Sequence, residues 1–158
     1  MKLIRIVVSD LHLGTGQRRG EMNPFEDFFH DDKFAELLGH YDAVAGSDCE
    51  VELVLNGDVF DLLKVRVNGT WPLEITEDMS TEKLRQCLDG HPVFVQALRA
   101  FLAKPGRRAT YILGNHDIEM WFPGPQELLR RHVAPEAAAS RIQFLCTTDS
   151  YYLPEGIQ

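Results

Sequence analysis

Three apolar segments of the sequence are each followed at once by side chains that can bind a metal ion. The segments lie in the stretches VVSDLHLG, VELVLNGDVFDLL and ATYILGNHD. The polar residues that follow them are, in chain order, Asp10, His12, Asp58, Asp61, Asn115 and His116. Carboxylate, imidazole and amide groups suit borderline divalent ions such as manganese, iron or zinc. Asp10 and His12 alone could equally be a turn-capping aspartate and a loop histidine, but the threefold recurrence favours a metal site.

The apolar segments predict the elements that would hold these side chains together. Residues 3–8, 51–55 and 110–113 are short apolar runs, which is typical of strands buried on both faces in an α/β protein. In open α/β sheets, ligands bind at the carboxyl ends of the strands. Asp10 and His12 are two residues apart, so in an extended chain their side chains project to the same side. The sequence therefore predicts an α/β fold with a site at one sheet edge.

Periodicity and turn signals predict the segments between the clusters. Helical spacing of apolar residues predicts helices at residues 32–44, 80–88, from 92 onward, and 126–132. Alternating patterns predict a β-hairpin around Asn68-Gly69 and two further strands at 141–146 and 150–153. His91 is predicted to start a helix, and Asp117 to cap the segment after GNHD. There is no internal repeat or flexible linker, so a single domain is expected.

Asp58 is the natural candidate to bridge two metal ions. Two ions about 3.5 to 4 Å apart can clamp a phosphoryl group and lower the pKa of a bound water toward neutrality. The chemistry that such a clamp favours is the hydrolysis of a phosphoester.

The motifs SDLHLG, NGDVFD and GNHD, in this order over residues 9–117, resemble those of the calcineurin-like metallophosphoesterase family. The resemblance implies a two-sheet β-sandwich flanked by helices (αββα), with two divalent metal ions at the strand ends. It implies that Asp10 and His12 hold the first ion, that Asp58 bridges, and that Asn115 binds the second ion.

The resemblance also implies catalytic roles for two further residues. His116 would face the leaving group as an acid or charge stabiliser, and Asp61 would support it from behind. Arg18 and Arg19 follow the first motif closely and could bind substrate, because arginine forks onto phosphate oxygens. A solvated basic turn is the alternative for these two arginines.

The sequence departs from the family downstream of GNHD. The family completes its second metal site with a G-H motif and then a G-H-x-H motif, and this chain contains neither. We therefore expect residues 1–158 to be the amino-terminal portion of a single metallophosphoesterase domain, incomplete at its carboxyl end. Such a portion alone would be a weak or inactive enzyme, and it could self-associate through an exposed sheet edge.

Composition limits the possible partners and compartment. The net charge is −8 over 158 residues, which disfavours a broad nucleic-acid-binding face because duplex DNA is bound through many Lys and Arg contacts. No apolar stretch approaches the roughly 20 residues of a membrane-spanning helix. The three cysteines, Cys49, Cys87 and Cys146, are far apart. They indicate neither a disulfide framework nor a zinc knuckle, and they favour a reducing cytoplasm.

Three alternatives to a general phosphoesterase stay open at the level of sequence. A catalytically inactive scaffold or binding module of the same fold would have no need for so many converging polar groups. A DNA-end nuclease shares the motifs, but the acidic charge disfavours it. A UDP-diacylglucosamine hydrolase of lipid A synthesis also shares them, but such enzymes typically carry arginine where His116 stands.

Overall fold

The computed structural model describes residues 2–17, 22–134 and 136–147. The strands are β1 (Lys2–Val8), β2 (Cys49–Asn56), β3 (Arg107–Ile112) and β4 (Ile142–Leu145). The α-helices are α1 (Asp31–Ala45), α2 (Glu77–Gly90), α3 (Pro92–Leu102) and α4 (Pro123–Val133). Short 3₁₀ helices span Leu62–Lys64, Ile118–Trp121 and Glu136–Arg141. The predicted strand at 150–153, and Arg18 and Arg19, lie outside the described residues.

The four strands form one parallel sheet in the spatial order β1-β2-β3-β4. Each strand is joined to the next by a helical crossover, and such crossovers between parallel strands are right-handed. Because every crossover here leads to the next strand in the same direction across the sheet, all the crossover helices lie on one face of the sheet. The α/β class predicted from the sequence is confirmed. The described residues form this one sheet, so the second sheet of the predicted sandwich is not among them.

The core lies between the helices and one face of the sheet. Leu53 in β2, Tyr111 in β3 and Ile142 in β4 are almost fully buried on that face. Phe34 of α1 and Phe94 of α3 pack together with ring centroids 4.4 Å apart in the same apolar cluster. None of the helices in the described ranges is long and apolar enough to cross a lipid bilayer.

The predicted helices are confirmed, with ends that differ by a few residues. Pro92 is the first residue of α3, where its missing N–H costs no hydrogen bond. The predicted β-hairpin is reduced to a single bridge between Val67 and Thr70. Asn68 and Gly69 have φ angles of 53° and 78°, as a two-residue hairpin turn requires. The preceding residues form a 3₁₀ helix instead of a strand, so the hairpin does not extend beyond its turn.

Candidate metal centre

The backbone places the three polar clusters next to one another where β1, β2 and β3 end. The first two loops continue to pair beyond their strands. The Asp10 N–H donates to the Gly57 carbonyl at 3.2 Å, and the His12 N–H donates to the Asp58 carbonyl at 2.9 Å. The third loop joins them through the His116 N–H, which donates to Asp58 Oδ1 at 2.9 Å. The clusters predicted from sequence therefore share one edge of the sheet.

Three of the residues in these clusters have an unusual backbone conformation. Asp10, His12 and Asp58 have φ angles of 56°, 54° and 52°. This left-handed region costs a residue with a Cβ about 1 kcal/mol or more. Within the described ranges, Asn68 is the one other non-glycine residue with a positive φ, and its tight turn explains it. Strained backbone of this kind concentrates at functional sites.

The side chains form two sets of donor groups that share His12. Asp10, His12 and Asp58 each offer a ligand atom within 4.8 Å of the other two, and so do His12, Asp61 and His116. The rings of His12 and His116 meet edge to face with centroids 4.6 Å apart. Asp10 is exposed and the two histidines are half-buried, so the centre opens to solvent. A small molecule or ion in solution can therefore reach it.

Asp61 lies behind both histidines and is fully buried. Its Oδ1 lies 3.1 Å from His116 Nδ1, and its Oδ2 lies 3.6 Å from His12 Nδ1 and 2.9 Å from Lys64 Nζ. Burial raises the pKa of Asp61, but hydrogen bonds with Lys64 and His116 outweigh it and hold the pKa below its usual value. The carboxylate is therefore charged at neutral pH, and its hydrogen bond with His116 fixes the Nδ1 side of that ring, which leaves the Nε2 atom of His116 on the opposite side of the ring.

The donor set formed by Asp10, His12 and Asp58 fits a divalent ion better than the second set. Oxygen and nitrogen ligands about 2.1 Å from one ion lie at most about 4.2 Å from each other, so these donors need only small adjustments. In the second set, the Lys64 ammonium already neutralises Asp61. A metal ion bound by the second set would either displace the Lys64 ammonium or be repelled by its charge. The second set is therefore better suited to orienting His116 than to holding an ion.

Asn115 occupies the tip of the third loop and is exposed. Its neighbour His116 is tied to Asp58 by the backbone, which keeps Asn115 at the same edge as the first donor set. The preceding Gly114 makes this close approach possible, because a Cβ added there would lie 2.0 Å from Asp58 Oδ1. An amide ligand at this place is compatible with the predicted second ion.

Asp117 does not cap the segment that follows it, so that prediction is wrong. The 3₁₀ helix after it has no side-chain capping bond. Asp117 is instead fully buried and joins three segments. Its Oδ2 accepts from the Val59 N–H at 2.9 Å and the Tyr111 hydroxyl at 2.5 Å, and its Oδ1 accepts from the Gly114 N–H at 2.6 Å. Burial raises the pKa of Asp117. The residue fixes the GNHD loop against β3 and the second loop.

A second buried cluster supports the loop after the first motif, and the sequence did not reveal it. Glu26 accepts from the N–H groups of Gly14, Gly16 and Phe28 at 3.1, 2.6 and 3.0 Å. His91 lies at the junction of α2 and α3, as predicted, but it also contacts Glu26 at 3.3 Å through Nε2. No periodic pattern marks Glu26, since it lies in an irregular loop.

The geometry of the centre stands without support from known proteins. Comparison with protein-family models, with curated proteins and with solved structures finds no match to this chain.

Proposed function

We propose that the chain is a metal-dependent phosphoesterase whose first ion is held by Asp10, His12 and Asp58. The observation that carries the proposal is the convergence of their donor atoms within 4.8 Å, from three residues in strained backbone conformations. Carboxylate and imidazole donors in an open site match the hydrolytic metal ions manganese, iron and zinc. The three sequence motifs that resemble calcineurin-like metallophosphoesterases lie at this same edge.

The residues around the ion supply positioning and proton transfer. A bound divalent ion would polarise a phosphoryl oxygen and make hydroxide available at neutral pH. His116 is half-buried, and Asp61 holds its Nδ1 at 3.1 Å. Its Nε2 is therefore the atom that would give a proton to the departing oxygen, and Asp61 would stabilise the charged ring before that transfer. Hydrolysis of either a monoester or a diester is compatible with this arrangement.

The proposal extends to a second ion and to the rest of the family fold. Asn115, with Asp58 as the bridge, would contribute to the second site, and further imidazole ligands would have to come from elsewhere. The two-sheet sandwich would require a second sheet in addition to the described parallel sheet. The three cysteines are unpaired, which supports a reducing compartment such as the cytoplasm as the place of action.

Metal-dependent hydrolysis of nitrophenyl phosphate and bis(nitrophenyl) phosphate tests the proposal. Protein stripped with EDTA would be assayed before and after addition of Mn²⁺, Fe²⁺ or Zn²⁺. We expect activity only with metal, and a loss of about 100-fold or more in Asp58→Asn, because an amide lacks the charge that holds a bridging ion. Asp48→Asn is the matched control, since Asp48 is exposed and directly precedes β2, at the opposite end of that strand from Asp58.

The outcomes separate the proposal from its alternatives. Activity that survives in Asp58→Asn would refute the metal assignment. Calorimetric binding of Mn²⁺ without hydrolysis of either ester would point instead to a catalytically inactive scaffold. Wild-type stability of metal-free Asp58→Asn in a thermal melt would exclude unfolding as the cause of lost activity.

A further inference from the structure

A cavity of about 1040 Å³ lies between residues 15–17 and 22–25, the chain near Lys64 and Arg66, and helix α2. Its lining includes Phe25, Lys64, Arg66, Glu82, Arg85 and Asp89. Arg85 is paired with both Glu82 and Asp89 on the surface of α2. Lys64 is paired with Asp61 and Asp27, so among the lining cations Arg66 is the one that no carboxylate of the described residues neutralises. The chain as a whole carries a net charge of −8. An anion would be attracted to this part of an otherwise acidic surface.

Arg66 is the cation in this cavity that is best placed to receive an anion. Its guanidinium carbon lies 3.8 Å from the ring centroid of Trp71 and 5.0 Å from that of Phe25. The two rings meet edge to face, with centroids 5.6 Å apart. Arg66 forms no ion pair with any carboxylate of the described residues, and it is exposed. A guanidinium stacked on an aromatic face keeps its N–H groups in its own plane, where they can bind a phosphate through two hydrogen bonds.

Lys64 connects the cavity to the metal centre. Its ammonium lies 2.9 Å from Asp61 Oδ2 and also bonds to Asp27. Asp61 in turn contacts His116 at 3.1 Å. One end of the cavity is therefore only two side chains away from the proposed proton donor. Lys64 and His116 therefore contact the two oxygens of one carboxylate, which places the cavity next to the metal centre.

We propose that this cavity binds a second phosphate group of the substrate, apart from the one that is hydrolysed, with Arg66 as its receptor. The substrate class is then a phosphoester that carries another phosphate on its organic part. The identification of this phosphate as part of a substrate rests on the proposed function. The anion site itself does not depend on hydrolysis. Trp71 and Phe25 hold the guanidinium in place, so little side-chain entropy is lost on binding.

Binding of inorganic phosphate to metal-free protein tests the anion site without any catalysis. Calorimetry would follow binding, and Trp71 fluorescence in a Trp121→Phe background would report on the Arg66 environment. We expect Arg66→Ala to weaken phosphate binding about tenfold and Arg66→Lys to weaken it less, because a lysine keeps the charge but loses the planar fork. Arg131→Ala is the control, since Arg131 is exposed on α4 and paired with Glu127. Equal affinity in wild type and Arg66→Ala would overturn the site.

A matched pair of substrates tests whether the anion belongs to the substrate. Thymidine 5′-(nitrophenyl phosphate) would be compared, in the presence of metal, with the same ester carrying a 3′-phosphate. We expect the additional phosphate to lower the KM of the wild type about tenfold, and Arg66→Ala to remove that preference. Equal KM values for the two esters in the wild type would overturn the substrate role. Absence of all hydrolysis, with phosphate binding that still depends on Arg66, would overturn only the phosphoesterase function and support the anion site.

Discussion

The buried His91 cluster gives a prediction about stability and its pH dependence. His91 is 2% exposed and lies between two acids. Its Nε2 is 3.3 Å from Glu26 Oε2, and its Nδ1 is 3.0 Å from Asp31 Oδ2. Burial lowers the pKa of His91, but the close contacts with the carboxylates of Glu26 and Asp31 outweigh it and raise the pKa above its usual value. The charged imidazolium can direct one N–H to each acid, whereas the neutral ring has only one N–H.

Replacement of His91 by glutamine removes the cation and leaves Glu26 buried without its counter-charge. Loss of one partner of a buried ion pair costs about 3 to 5 kcal/mol in the free energy of unfolding. Glu26 would keep its three backbone hydrogen bonds, and the Asp31 side chain is 23% exposed. We therefore expect a loss near the lower limit, about 3 kcal/mol.

The direction of the pH dependence follows from the raised pKa of His91. A group whose pKa is higher in the folded protein contributes its stability fully below its unfolded pKa, about 6.5 for histidine. That contribution disappears as the pH rises through the folded pKa. Glu26 has a lowered pKa, because its hydrogen bonds with His91 and the backbone outweigh burial. Its contribution is present above about pH 4.3 and is lost as the pH falls through its folded pKa.

The difference between wild type and His91→Gln should therefore be largest near pH 6 and smaller at pH 9. Urea denaturation with EDTA present at both pH values would measure it. His40→Gln is the matched control, because His40 is exposed on α1 and its ring meets that of Tyr41 edge to face. A difference of less than about 1 kcal/mol at pH 6, or one that is equal at both pH values, would refute the account of a buried imidazolium.

Two further predictions concern the metal centre. His116→Asn should slow hydrolysis of esters with poor alcohol leaving groups by about 10² to 10⁴ but affect nitrophenyl esters much less; equal losses would exclude a proton-donor role. Gly114→Ala should weaken Mn²⁺ binding in calorimetry about tenfold or more, because its Cβ would lie 2.0 Å from Asp58 Oδ1. Gly39→Ala is the control: nothing lies within 4 Å of its Cβ, and the helix should gain about 0.5 to 1 kcal/mol. Wild-type Mn²⁺ affinity in Gly114→Ala would contradict the close packing of the two loops.

The sequence was sufficient to place the candidate metal-binding residues at one edge of the fold. Short apolar runs identify strands, and glycine and polar residues after them identify the strand ends. Because parallel strands end at the same edge, Asp10, Asp58 and His116 could be expected to meet even though they lie far apart in the chain. The crossover helices could also be predicted from the sequence, since apolar residues recur in it at helical spacing.

The supporting contacts could not be predicted, because they join residues without a pattern. His91 and Asp31 are 60 positions apart, and Val59 and Asp117 are 58 apart. A buried polar residue shows no periodicity, and its partner is decided by how the loops pack. The prediction of a full β-hairpin was wrong for a related reason. Asn68-Gly69 fixes the turn, but the strands on either side need neighbours to pair with, and the chain before the turn packs as a 3₁₀ helix instead.

The backbone strain at the centre bears on whether the fold is an enzyme or a scaffold. Asp10, His12 and Asp58 adopt a conformation that glycine would adopt at lower free energy. The pairing of the first two loops holds the strain in place, through the bonds from Asp10 and His12 to the second loop. A scaffold that binds no metal ion has no use for carboxylate and imidazole groups at these positions, and glycine there would make it more stable. A metal ion bound by all three side chains would offset the strain, so the strain favours a metal site, and hydrolysis of the two nitrophenyl esters is the measurement that separates an enzyme from a metal-binding scaffold.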